Sequence, residues 1–292
     1  MELHHTLQLQ DKLDDEELAH YLIADYHPDT AHDLYAYGAS PDIAPLYIGT
    51  DLAELLEYSP YVIRVKSDDT LLNIFHTKAV SGGSWSGILI SALAEIAFDD
   101  LITHLRQRLI MQFSGNKKGI LHFQNPAVAH YFFGESDKRD TALWMGPITH
   151  ISWYAFPYSA IQGVWCSVSN SLPIKAAELL SDTSNSSWII TPSQQMALEI
   201  QYDDKTLSRF FESISISVTD NVEWCNYRQY LNQAESLGLI DNTCIYRYLT
   251  LCRQYGKPAE SLLKSSYLFS LTGSEKLQYL ENTLRKDSLY VS

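Results

Sequence analysis

Residues 104–153, HLRQRLIMQFSGNKKGILHFQNPAVAHYFFGESDKRDTALWMGPITHISW, constrain the fold of this chain more than any other segment. A helix end gives way to an apolar strand, a Gly-Asn turn and a second strand. Asn125-Pro126 then starts a short aromatic helix, since Asn can cap the free N–H groups and Pro fits the first helical position. Met145-Gly146-Pro147 leads into another strand. The segment is rich in structural breaks and carries almost no chemistry, a combination that points to a binding protein.

Upstream, Asp14 and Glu17 have capping-box spacing, and Leu18, Tyr21 and Leu22 share one helical face, so a helix is expected up to His27-Pro28. Residues 34–38 and 46–49 read as short strands bounded by Gly and Pro. Tyr61, Ile63 and Val65 alternate with Val62, Arg64 and Lys66, the period of a half-exposed strand. Phe98, Leu101, Ile102, Leu105 and Leu109 trace one face of an amphipathic helix. Strands alternating with helices imply an α/β lobe: a mixed sheet covered by helices.

Residues 181–187 (SDTSNSS) read as a loop or hinge. Beyond them the pattern turns helical. Asp241 caps a helix with Ile245, Tyr248, Leu249 and Cys252 on one stripe, ended by Gly256 and Pro258. Thr272 and Glu275 form a capping box ahead of Leu277, Leu280 and Leu284. The expected organisation is an N-terminal α/β lobe over residues 1–165 and a smaller, mainly helical lobe over 166–292.

Charge supports that division and limits the function. Residues 1–155 hold 21 acidic and 10 basic side chains (net −11), whereas residues 156–292 hold 14 and 11 (net −3). All ten histidines lie at or before His150, and all four cysteines, Cys166, Cys225, Cys244 and Cys252, lie after it. A net charge of −14 argues against nucleic acid and against anionic lipid as partners. The cysteines lack C-x-x-C spacing, the N-terminus lacks a signal-peptide pattern, and residues 87–98 are too short to span a bilayer. A cytoplasmic location is expected.

No constellation specifies a reaction. In 82–87 (GGSWSG) the residue flanked by glycines at the spacing of a nucleophile elbow is Trp85, so Ser84 and Ser86 both miss the pattern and a turn into the strand at 88–90 is the better reading. Glu17-x-x-His20 is one copy of a motif that di-metal bundles need twice. His27, Asp29, His32 and Asp33 offer metal-ligand chemistry at a spacing that fits no template, and His4-His5 offers less. Neither metal nor cofactor is expected. Aromatic residues are dense at Trp144, Trp153, Tyr154, Phe156, Tyr158 and Trp165. They read as core packing near a lobe junction or as a partner groove, with Trp144, Trp153, Tyr154, Tyr158 and Trp165 as candidate contacts.

The order of short motifs resembles the type VI secretion effector chaperone/adaptor (Tap/TEC) family. They are 34–38 (LYAYG), 44–47 (APLY), 85–91, His104-Leu105-Arg106, 121–128 and Met145-Gly146-Pro147-Ile148, followed by 234–241 (AESLGLID) and 245–256 in the helical lobe. One departure stands out. The family pattern Phe-Arg-Phe-Tyr-Asp-Pro is here Leu121-His122-Phe123-Gln124-Asn125-Pro126, so an Arg and an Asp are missing. The resemblance implies a non-enzymatic protein that holds a toxic effector and loads it onto a VgrG-type spike protein. Two other expectations compete with it: an immunity protein that caps a toxin, and a hydrolase using Ser84 or Ser86 with a histidine.

Overall fold

A computed structural model describes residues 15–82, 86–113, 117–158, 160, 162–171, 173 and 188–291. Asp14, Ser84, Trp85, the 115–116 turn and the 181–187 hinge lie outside the described residues, as do His4 and His5. The fold is α/β, with an antiparallel six-stranded sheet, a small second sheet and a helical C-terminal part. It divides into two compact units, 1–201 and 202–292.

The first unit is built on strands β1 (Leu18–Ala24), β2 (Ile43–Pro45), β3 (Tyr61–Val65), β4 (Gly87–Leu93), β7 (Ile148–Ala155) and β8 (Val164–Ser169) in the order β2-β3-β1-β4-β7-β8. Strands β5 (Ile110–Phe113), β6 (Lys117–Ile120) and β9 (Trp188–Ile189) form the small sheet, where β9 runs parallel to β5. The 165/166 boundary expected from composition falls inside β8, which is paired with β7 from Val164 to Ser169.

Both faces of the large sheet are covered. On one face Tyr21, Ile23, Ile88, Ile90, Ile151 and Trp153 meet helices α3 (Phe98–Gln107), α4 (Pro126–Gly134) and α5 (Lys138–Met145). On the other, Leu22, Ala24, Ile63, Val65 and Leu89 meet α1 (Thr30–Tyr37) and α2 (Thr70–Ser81) through Leu34, Leu71, Leu72 and Phe75. Period-two alternation sends successive residues of β1 into opposite cores, so apolar residues fall at both odd and even positions of the strand, with His20 the polar exception.

This double burial explains one correction. Residues 18–24 are a strand, not the helix that the Leu18, Tyr21 and Leu22 spacing suggests. A strand buried on both faces is a continuous apolar run, which satisfies helical spacing by accident. Residues 34–38 are likewise not a strand: they end helix α1, which buries only Thr30 and Leu34 and leaves Tyr35 and Tyr37 exposed. The strand expected at 46–49 is a turn, and the pairing lies just before it in β2. Strands β3 to β7 and helix α3 follow the sequence reading, with Leu101, Ile102 and Leu105 buried along the helix.

The second unit is helical. Helix α6 (Pro192–Ser213) contains the division between the units and is followed by α7 (Asn221–Ser236), α8 (Asn242–Tyr255), α9 (Glu260–Leu263), α10 (Ser266–Phe269) and α11 (Gly273–Val291). Asp241 caps α8 by accepting from the Cys244 N–H at 2.8 Å, and the Ile245, Tyr248, Leu249 and Cys252 stripe is buried. The Thr272 N–H donates to Glu275 Oε2 at 2.9 Å, as a capping box requires, and Leu277, Leu280 and Leu284 are buried behind it. Asp204 is the polar keystone of this unit. Its side chain is 1% exposed, and it accepts from Arg228 and from the Trp224 indole N–H at 2.8 Å.

Candidate interaction surface

The short sequence motifs meet one another in space as joints of the scaffold. On α3, Arg106 donates to the carbonyls of Leu46 (3.2 Å) and Pro45 (3.3 Å), pinning the turn after β2. Arg108 donates to the Trp144 carbonyl at 3.1 Å and lies 4.5 Å over the Trp188 ring. His104, on the same helix, lies against Gly146. A Cβ on Gly146 would fall 2.5 Å from the imidazole, and its φ of +56° is one that side-chain-bearing residues rarely adopt. Burial, with the Arg108 charge adding to it, pushes the His104 pKa down to about 3, although the ring faces the carbonyls of Trp144 and Met145. Gly87 opens β4 where a Cβ would meet the Ile23 carbonyl at 2.2 Å.

The departure at 121–126 is a joint as well. Asn125 caps α4 by accepting from the Ala127 N–H at 3.0 Å, and its amide donates to Asp25 Oδ2 at 3.0 Å. Gln124 donates to Asp25 Oδ1 at 2.8 Å. Asp25 follows β1, and its own N–H donates to the Ser86 carbonyl. Two neutral amides therefore face one carboxylate, the complementary arrangement where a second carboxylate would repel it. His122 is exposed and takes no part in this grip beyond a 3.5 Å approach to Gln124.

The five aromatic candidates do not form one surface. Trp144 (0% exposed) and Trp153 (2%) lie in the core, with Trp144 ringed by Phe123, Phe132 and Phe133 at 4.9–5.7 Å between centroids. Tyr154 and Trp165 meet edge-on at 5.4 Å on the other face of the sheet, where Trp165 also touches His76 and Phe75. Tyr158 stacks on Tyr131 of α4, at 6.3 Å. Of the five, Trp144 and Trp153 are buried, whereas Tyr154, Tyr158 and Trp165 are partly exposed.

Other candidates resolve into local structure. Asp33 pairs with Lys78 and His32, and His27 lies 3.6 Å from Asp29. His20 sits in β1 with Nδ1 2.9 Å from Ser91 Oγ, not on a helix with Glu17. Among the described residues, no group of three or more His, Cys, Asp or Glu could hold a metal ion, and no helix is long and apolar enough to cross a membrane.

The surface that the sequence reading missed lies between β1 and β3. A 3₁₀ turn, Ala53–Tyr58 (AELLEY), buries none of its residues. Leu55 is 43% exposed, Leu56 40% and Tyr58 49%, and the Tyr58 ring meets the exposed Tyr26 edge-on at 5.1 Å. Exposed Ile48 is nearby in the chain, on a turn fastened by Leu46 N–H to the Pro60 carbonyl and Tyr47 N–H to Ser59 Oγ. Single exposed apolar residues are ordinary, whereas several close together are a candidate interaction surface.

Residues 20–142 match the DUF4123 family model, a domain of unknown function. No curated protein and no solved structure matches the chain. The DUF4123 match runs from β1 into α5, so it takes in the Arg106 and Asn125 joints and the whole Tyr26–Tyr58 cluster. All five aromatic candidates, Trp144, Trp153, Tyr154, Tyr158 and Trp165, lie beyond it.

Proposed function

We propose that this protein is a non-enzymatic adaptor of type VI secretion: it binds a toxic effector inside the producing cell and loads it onto a VgrG-type spike protein. The observation that carries this reading is the DUF4123 match over residues 20–142, the stretch that also holds most of the motifs resembling the effector chaperone/adaptor family. The exposed leucine–tyrosine cluster inside that stretch supports protein binding, because apolar and aromatic anchors dominate the energetics of protein interfaces. The acidic excess adds long-range attraction for a basic partner.

The test is co-expression with the toxin encoded beside this gene and with the neighbouring VgrG-type protein. The proposal expects a stable complex with the toxin, and secretion of the toxin that is lost when this gene is deleted and restored by complementation. Absence of any complex with either protein would refute it. A complex that protects cells from the toxin while secretion proceeds without this protein would assign it as an immunity protein instead.

A further inference from the structure

We infer that the Tyr26–Leu55–Leu56–Tyr58 cluster is a docking site for a cationic, apolar-anchored segment of a partner protein. The inference rests on the adaptor reading only for the identity of that partner. Its basis is a charge pattern in this stretch of the sequence. Residues 13–63 contain eleven acidic side chains, seven tyrosines, and neither Lys nor Arg. Scaffold cations neutralise two of those acids, with Lys78 paired to Asp33 and Arg64 to Asp42. Asp51, Glu54 and Glu57, which sit on and beside the 3₁₀ turn, have no cationic partner among the described residues.

Along this turn, which kinks at Leu55, the exposed Leu55 and Leu56 lie between Glu54 and Glu57, with exposed Tyr58 next in the chain. Exposed apolar side chains therefore sit beside carboxylates that have no cationic partner among the described residues. The Tyr58 hydroxyl donates to the Glu57 carboxylate, which pushes that phenol above its ordinary pKa. A guanidinium or ammonium can pair with the glutamates and lie against a tyrosine face, while leucine-sized side chains cover Leu55 and Leu56. A second copy of this chain, with net charge −14, lacks that complementarity.

The probe is a fluorescent amphipathic peptide of Lys and Leu, compared with its Glu/Leu counterpart, titrated with the full chain. Wild type should bind the Lys/Leu peptide alone. Leu55→Ser/Leu56→Ser and Glu54→Gln/Glu57→Gln should each weaken binding roughly tenfold, as expected for loss of a hot spot. Neutralising exposed acids elsewhere, with Glu223→Gln/Glu235→Gln, should leave it within about twofold. Equal weakening by the remote pair, or wild-type binding by the leucine variant, would overturn the inference. So would self-association of wild type that the leucine variant abolishes and the peptide does not compete for.

The same variants, co-expressed with the neighbouring toxin, separate this inference from the adaptor reading. A toxin complex that both patch variants retain would overturn the docking site and leave the adaptor standing. Peptide binding that follows the patch, with no toxin or spike complex for wild type, would uphold the site and refute the adaptor.

Discussion

Replacing Asn125 by Asp restores the residue that the family pattern carries before the proline, and it should nevertheless destabilise this protein. The Asn125 amide donates to Asp25 Oδ2 at 3.0 Å, and a hydrogen bond to a charged acceptor contributes about 1.5–3 kcal/mol. The substituted carboxylate would face Asp25 across the same gap. Coulomb repulsion there lies between ~1.4 kcal/mol with the dielectric of water and ~5.5 kcal/mol at an effective dielectric of about 20. Uptake of one proton by the pair limits that cost. Capping of α4 survives, since Asp caps as well as Asn, and a carboxylate at the helix N-terminus returns about 0.3–1 kcal/mol. The net loss should be about 2–3 kcal/mol at pH 7. Repulsion between the variant's two carboxylates favours sharing a proton, so the loss should be smaller in acid, about 1 kcal/mol or less near pH 4. Urea denaturation of wild type and Asn125→Asp at both pH values measures this. Equal or greater stability of the variant at pH 7, or the same loss at both pH values, would refute the reasoning.

Acid should also act through His104, whose pKa falls from 6.5 to about 3 on folding. Its contribution is fully present above pH 6.5 and is lost as pH falls towards 3, at about 2 kcal/mol by pH 5; the pH 8 to pH 5 difference in urea midpoints should narrow in His104→Phe. Gly146→Ala forces a Cβ to 2.5 Å from that imidazole at a positive φ, and thermal melts should show a loss of about 2–3 kcal/mol. Asp204→Ala strips the second unit of its buried carboxylate and leaves the Trp224 N–H without its acceptor. Because Arg228 is 34% exposed and can rehydrate, the cost should sit near the low end for a broken buried pair, about 3 kcal/mol, read from urea melts of the full chain. Leu55→Ser/Leu56→Ser should change stability by no more than about 0.5 kcal/mol, because neither side chain is buried.

The elements legible in the sequence are those whose signal is local. Asn125, Asp241 and the Thr272–Glu275 pair announce their helices because a cap is satisfied within a few residues of itself. Helix α3 is legible because it has one buried face. Strand β1 is not, because its environment is set by two cores assembled from residues far along the chain. Helix α1 is hidden by tyrosines that favour strands but here point to solvent. The same logic governs the site. Trp144 and Trp153 drew attention as aromatics, yet their density signals interior packing. The Leu55-Leu56 pair drew none, because a leucine pair between glutamates reads as an ordinary helix turn until the backbone leaves it unburied. The signal that could have found it was the run from 13 to 63 without a single Lys or Arg. The joints at His104, Arg106 and Asn125 hold together segments that lie far apart in the sequence.

The most direct test of the account is hydrogen–deuterium exchange on the full chain, alone and with the toxin encoded beside its gene. An adaptor that grips its cargo through the acidic tyrosine surface should show slowed exchange at Tyr26 and across residues 52–58, with the amides around His104 and Gly146 unchanged. A stable complex with no protection at those residues, and protection confined to other segments, would contradict it.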